Sequence, residues 1–168
     1  MVSRTSAVGI AGLSRSAPNR VLATASSMGR NDGMDQRPLL SWADCAPRLV
    51  AVAAGRAAAD LVIRGGTLVN VQSRELLPGW QVAVAEGRFA YVGPDASHCI
   101  GPHTQVVEAD ERYLIPGLCD GHMHIESGML TPAEFAAAVI PHGTTTMFHD
   151  PHEIANVLGL AGVQMMHD

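Results

Sequence analysis

The sequence predicts an α/β fold, a small β-rich part followed by the first units of a strand–helix alternation, and three observations carry that prediction. Between Asp60 and Leu114, short β-branched runs alternate with turn residues. From Leu118 onwards the period changes, and strand-like runs alternate with helix-like ones. Where the two regimes meet stands "LIPGLCDGHMHIES", residues 114–127, in which two of the chain's 8 histidines lie one residue apart with carboxylates on either side.

The 168 residues suit one ordinary domain or parts of two. With 47% hydrophobic and 16% charged residues there is material for a packed core, and global disorder is excluded. A net charge of −5 and the absence of a Lys/Arg stripe argue against a nucleic-acid partner. Arg48, Arg56 and Asp60 interrupt the longest apolar stretch before it reaches the roughly 18 residues of a membrane span, so no membrane partner is expected either. Cys45, Cys99 and Cys119 are odd in number and widely spaced, which fits neither a disulfide framework nor a CxxC metal site. A reducing compartment, the cytoplasm, follows. Cys119, although inside the opening motif, is expected to be a buried, inert thiol.

Residues 1–31 carry Arg4, Arg15, Arg20 and Arg30, many Ser and Ala, and no acidic residue. That is the profile of an organelle transit peptide or of an unstructured leader. The leader reading is preferred because "RTSAVGIAGLSRSAPNR" shows no clear amphipathic helix, and residues 1–45 are set apart from the fold. Residues 46–115 are then a helix plus a small β domain. "PRLVAVAAGRAAA", Pro47 to Ala59, is rich in helix formers. Leu61 to Ile63 and Thr67 to Val71 flank Gly65-Gly66 and read as a hairpin. Gln81 to Ala85 and Arg88 to Val92 flank Glu86-Gly87 and read as a second, with Val82, Val84, Phe89 and Tyr91 packing. Val106 to Glu108 and Tyr113 to Ile115 add two short strands, and the whole is expected to be antiparallel.

After Pro116-Gly117 comes the strand of the histidine motif. Thr131 as N-cap, Pro132 at the first helical position and Glu134 three after the cap then open a helix. Its apolar face is Phe135, Ala138 and Val139, and Pro141 with Gly143 ends it. Thr144 to Phe148 is a β-branched run, and Glu153 to Met166 has helical character. Strand, helix, strand, helix implies parallel pairing through right-handed crossovers. Such a sheet needs further parallel neighbours and cover on both faces, so residues 116–168 are expected to be the start of a truncated α/β domain.

In a strand, residues two apart share a side, so Asp120, His122, His124 and Glu126 project together. The Cβ atoms of His122 and His124 then lie roughly 6 to 7 Å apart, and both rings can reach one divalent ion at about 2.1 Å. A HxH pair is equally compatible with a solvated turn or a hydrogen-bonded core pair. Its context favours a site: Gly121 allows close approach of backbone or ligand, and the pair falls at the C-terminal mouth of a βα unit, where α/β barrels place their active sites. "HDPHEI" brings His149, Asp150, His152 and Glu153 to the equivalent mouth of the next strand. Asp150, Pro151 and Glu153 read as a capping box, while His152 and Glu153 stay open to a metal or substrate role. His142 is read as a structural residue at a helix end, and His98, His103 and His167 are given no role.

"LIPGLCDGHMHIESGMLTPAEFAAAVIPHGTTTMFHDPHEIANVLG" resembles the amidohydrolase superfamily, and within it the adenine deaminases of bacterial type. The P-G-x-x-D-G-H-x-H core is general to the superfamily. H-I-E-S, L-T-P-x-E-F, P-H-G-T-T-T and D-P-H-E-I-A-N-V narrow the likeness, which runs from about Ala46 to Asp168. It implies a small β-sandwich-like domain joined to a TIM (β/α)8 barrel, and hydrolysis of adenine to hypoxanthine and ammonia by a metal-activated hydroxide, a step of purine salvage. It implies a divalent metal, foremost Mn2+ with Fe2+ or Zn2+ as alternatives, held by His122 and His124. Asp120, Glu126, His152 and Glu153 are its candidates for support of the ligands or contact with adenine. The remaining ligands and the acid/base are expected beyond residue 168, so the chain alone is expected to be inactive, and the full-length protein a homo-oligomer. A hydrolase of cyclic amides and a non-catalytic metal-binding remnant are the rival readings.

Overall fold

The structure, a computed structural model, describes residues 8–11, 21–24 and 41–167. The described residues fall into two compact units, one of residues 41–116, the other of residues 8–11, 21–24 and 117–167. Mixed sheets with helices make the architecture α/β.

In the first unit, helix α1 (Trp42–Ala53) begins five residues earlier than Pro47, because the Ser41 side chain caps it by accepting from the Asp44 amide. Pro47 sits inside the helix at the cost of one backbone donor. The helix stops at Ala53, short of Ala59: Ala54 is its C-cap, and Gly55 takes a left-handed φ of +69°. Cys45, Leu49 and Val52, at helical spacing, form its buried face.

Seven strands follow: β3 (Leu61–Arg64), β4 (Thr67–Asn70), β5 (Glu75–Pro78), β6 (Gln81–Ala85), β7 (Arg88–Gly93), β8 (Gln105–Glu108) and β9 (Tyr113–Leu114). They form a four-stranded sheet in the order β7-β6-β3-β8 and a three-stranded one in the order β5-β4-β9. The hairpin expected around Gly65-Gly66 is not made. β3 pairs antiparallel with β6 and parallel with β8, while β4 pairs antiparallel with β5 and parallel with β9. The unit is therefore mixed rather than antiparallel.

The reason lies in residues 109–112, which cross from one sheet to the other beside residues 64–67. Ala109 N donates to Arg64 O at 2.7 Å, Glu111 N to Gly65 O at 2.8 Å and Thr67 N to Arg112 O at 3.0 Å. A Cβ on Gly66 would stand 2.5 Å from Arg112 O and 2.7 Å from Ala109 Cβ. The glycine is there to let two chains touch. Gly66→Ala is accordingly expected to destabilise the protein by about 1–3 kcal/mol, since a backbone oxygen cannot step aside like a flexible side chain. The measurement is urea unfolding, with a lowered midpoint at unchanged slope.

The second hairpin forms as read from the sequence, with Ala85 opposite Arg88. Glu86 (φ 51°) and Gly87 (φ 66°) are both left-handed, as a two-residue type I′ turn requires. Val82 and Val84 are buried, but Phe89 is 58% exposed, in an edge strand whose register shifts between Ala83 and Val84. Tyr91, half-buried, packs against the cluster in which α1 meets one face of the four-stranded sheet: Cys45, Leu49, Val52, Val62, Ala83 and Cys99.

In the second unit, β1 (Val8–Ala11) and β2 (Val21–Thr24) pair antiparallel within the stretch read as a leader. The rest of the leader reading lies outside the described residues. β10 (Leu118–Met123) and β11 (Thr144–His149) pair in parallel, as the strand–helix order predicts. Helix α2 (Pro132–Val139) connects them, and its Thr131 cap accepts from Glu134 N at 3.3 Å. Phe135 and Val139 are half-buried as expected; Ala138 is exposed, and Ala136 takes its place on the inner face. A 3₁₀ turn at Ile140–His142, with Gly143 at φ 98°, ends the helix. The run expected as one helix from Glu153 is two, α3 (His152–Leu158) and α4 (Leu160–His167), because Gly159 adopts φ 63° between them. Among the described residues no helix is long and apolar enough to cross a membrane.

Cys45 and Cys99 are buried and Cys119 is exposed, the reverse of the expectation for Cys119. Cys119 lies on β10 at a position the described chain leaves uncovered. Burial, helped by the charge of Asp95, pushes the Cys99 thiol up, further from its reactive thiolate form. In a titration with a chromogenic disulfide, Cys119 is expected to react first, with Cys45 and Cys99 following only in denaturant.

Candidate metal centre

His122 near the end of β10 and His124 just past it come together. His122 Nε2 lies 2.8 Å from His124 Nε2, with ring planes at 79°. Asp120, on the same side, spends its carboxylate on the backbone, accepting from His122 N at 3.1 Å. Glu126 does not join them. At Ile125 the chain leaves the extended conformation (φ −61°, ψ −40°) for a 3₁₀ turn at Glu126–Gly128, which carries Glu126 to His149 Nε2 at 2.9 Å.

His124 Nδ1 is 2.8 Å from the carbonyl oxygen of Asp150. A carbonyl only accepts, so this nitrogen carries the proton and the Nε2 lone pair of neutral His124 faces His122. His122 Nε2 then donates into that lone pair. To turn both lone pairs on one cation, His122 alone has to move its proton to Nδ1; His124 is already in the tautomer a metal needs.

The second cluster closes on the first. The ligand atoms of His122, His124 and Asp150 lie within 4.8 Å of one another, as do those of His124, His152 and Glu153. His152 Nδ1 is 3.1 Å from Asp150 Oδ2, and its ring meets that of His124 edge-on, centroids 4.6 Å apart. The hydrogen bond from His152 holds the Asp150 carboxyl below its ordinary value, against a smaller contribution from burial, and the charges of His152, His124 and His122 add to it. The same bond raises His152, burial opposes it, and the charges of Asp150, Glu153 and Glu126 support it. For Glu126, burial pushes the carboxyl up, but the bond from His149 and the amides of Glu126 and Ile154 together bring it below the usual value.

The capping box expected of Asp150 and Glu153 is not formed. The residue before α3 is Pro151, without a side-chain cap. Asp150 is still engaged as strand, its N–H on Met123 O at 2.9 Å and its carbonyl on His124, so its carboxylate is free to turn to His152. Glu153 accepts from Ser127 Oγ at 2.5 Å. Gly121 meets no close approach: nothing stands within 4 Å of where its Cβ would be. His142 sits in the turn after α2. Sequence reasoning left two functional features unassigned: Asp150 as a member of the histidine cluster and His149 as the partner of Glu126. The pairing of His149 with Met123 in the ladder is a register that the sequence alone does not show.

Residues 113–168 match the model of the amidohydrolase family. Over 135 residues the chain is 76% identical to an adenine deaminase of Ruegeria pomeroyi, covering 80% of this chain and 22% of that protein. It is 72% identical to adenine deaminase 1 of Jannaschia sp., covering 80% of this chain and 23% of the relative. To an adenine deaminase of Moorella thermoacetica it is 53% identical over 133 residues, 79% of this chain and 22% of the relative. The chain thus spans about a fifth of the length of these relatives. A solved molinate hydrolase is similar over 63% of this chain and 28% of that one, with a TM-score of 0.42 and 22% identity.

The matched family implies a divalent metal, and residues 113–168 offer a place that fits one. Two imidazoles and a carboxylate converge within 4.8 Å, a donor set suited to a borderline cation of the first transition row. The tautomer of His124 is fixed in advance by the Asp150 carbonyl.

Proposed function

We propose that this chain is part of an adenine deaminase that hydrolyses the 6-amino group of adenine to give hypoxanthine and ammonia, in purine salvage in the cytoplasm. The observation that carries the reading is identity of 76% over 135 residues to a protein of that name, in a segment whose paired histidines converge at 2.8 Å. On this reading residues 46–115 contribute a helix and a β-sandwich-like domain, and residues 116–168 begin a (β/α)8 barrel behind a leader of residues 1–45. His122 and His124 hold the metal, Mn2+, through Nε2, with Asp150 beside them.

A bound divalent cation supplies Lewis acidity that lets water ionise near neutral pH, which a poorly electrophilic purine ring demands of its nucleophile. The residues of this chain prepare the place. Asp150's carbonyl keeps the His124 proton on Nδ1, Asp120 fixes the His122 backbone, and the bond to Asp150 holds His152 beside the pair and raises its affinity for a proton. The remaining ligands and the acid/base come from sequence beyond residue 168, and the whole enzyme is a homo-oligomer.

The test is a graft: the matched segment of the Ruegeria pomeroyi enzyme is replaced by that of this chain, and ammonia release from adenine is measured with Mn2+. Deamination within about tenfold of the parent is expected, and the 168-residue chain alone is expected to release none. A graft that ignores adenine but opens a cyclic amide would replace this reading with that of a cyclic amidohydrolase.

A further inference from the structure

We infer that Glu126 is a positioning residue for the His122–His124 pair, acting through His149 and the Asp150 carbonyl rather than by contact with the pair. The Glu126 side chain is 9% exposed and that of His149 17%, and the two are joined at 2.9 Å. The other carboxylate oxygen, Oε1, is buried and has no hydrogen-bond partner among the described residues. A half-satisfied carboxylate is a costly way to fill space, and apolar side chains of similar volume pack at least as well. Packing therefore does not account for it; what the bond connects does.

It connects the two segments that define the His124 ring. Glu126 follows His124 by two residues, and His149 precedes Asp150 by one. Three further bonds link the same segments: Asp150 N to Met123 O at 2.9 Å, His124 Nδ1 to Asp150 O at 2.8 Å and the exposed Ser127 Oγ to Glu153 at 2.5 Å. Of these side-chain links, Ser127–Glu153 is exposed, whereas Glu126–His149 and His124–Asp150 are both part-buried. By anchoring the 3₁₀ turn to the end of β11, the Glu126–His149 bond fixes the distance across which His124 must donate to Asp150. With that distance set, the His124 proton stays on Nδ1 and its Nε2 stays turned to His122. Without it, the turn can lift from β11, the Nδ1 bond lengthens, and the ring is free to take either tautomer.

The experiment uses the 168-residue chain labelled with ¹⁵N-histidine, with ring-nitrogen NMR as the first readout and Co2+ titration as the second. In the parent chain His124 is expected as the Nδ1–H tautomer. Glu126→Ala is expected to average its two ring nitrogens and to raise the Co2+ dissociation constant by about 10–100-fold, the usual effect of losing a support of a metal-bound histidine. Glu126→Gln, whose amide oxygen still accepts from His149, is expected to keep the tautomer and stay within about threefold of the parent. Ser127→Ala is expected to change neither readout. Should Glu126→Ala fail to fold, His149→Phe keeps the bulk, drops the bond and carries the same expectation. An unchanged His124 tautomer in the folded variant that lacks the bond overturns the inference, as does a Gln variant as defective as the Ala variant. The metal arm rests on the reading of His122 and His124 as ligands. A parent chain that binds no Co2+ would count against that reading, while the tautomer readout still decides the role of Glu126.

Discussion

Co2+ or Mn2+ affinity is expected to fall by at least about 100-fold in His124→Ala, and adenine deamination by the grafted enzyme is expected to fall with it. The lower bound comes from comparison: losing a support of a metal-bound histidine costs about 10–100-fold, and losing the ligand itself costs more. The geometry makes His124 the more consequential of the pair. Its Nδ1 is committed to the Asp150 carbonyl and its Nε2 faces His122, so both nitrogens work. Its removal takes away one ligand, deprives the Asp150 carbonyl of its donor and removes the ring against which His152 packs. His122, exposed and tethered through its backbone by Asp120, leaves fewer groups without partners when it is removed. Calorimetric titration of the parent and both alanine variants checks this. The expected order of affinity is parent, then His122→Ala, then His124→Ala; equal binding by all three would show that the pair does not hold the ion.

The histidine pair was legible because it depends on local geometry alone. Alternation in an extended segment puts His122 and His124 on one side, and nothing distant has to be known. The same rule failed for Glu126 because the strand ends at Met123, three residues before it, and no residue between His124 and Glu126 announces the 3₁₀ turn. Asp150 shows the other limit. Asp-Pro-x-Glu is a fair local signature of a helix start, yet the backbone of Asp150 is held by Met123 and His124, 26 or more residues earlier in the chain. A local pattern cannot report that its first residue is already in use. The two glycine turns make the point within the β unit. Glu86-Gly87 forms a hairpin because β6 takes β7 on one edge and β3 on the other, whereas Gly65-Gly66, an equally good turn by composition, is claimed by residues 109–112. Glu75–Pro78 was missed as a strand for a related reason: with a proline and an exposed edge, it is a strand only because β4 lies beside it.

Ile63→Ala is expected to be the most damaging single substitution in the β unit, at about 2–5 kcal/mol. β3 lies inside the four-stranded sheet, with β6 on one side and β8 on the other. Its two central residues are buried on opposite faces, Val62 at 0% and Ile63 at 1% exposure. Val62 belongs to the cluster under α1, where small residues such as Ala59, Ala83 and Ala85 leave little volume to lose. Ile63 lies in register with Val82 on one neighbour and Val107 on the other. Backbone pairing on both sides keeps those strands from collapsing into the space its side chain would vacate, so the cavity term is retained in full. Phe89→Ala removes a larger side chain from a half-exposed site on an edge strand. Its effect is expected to stay within about 0.5 kcal/mol, as for surface substitutions generally. Urea unfolding of the two variants side by side is the measurement. If Phe89→Ala proved as costly as Ile63→Ala, the exposed face of β7 would have to be covered in solution, and the assignment of the core to β3 would be wrong.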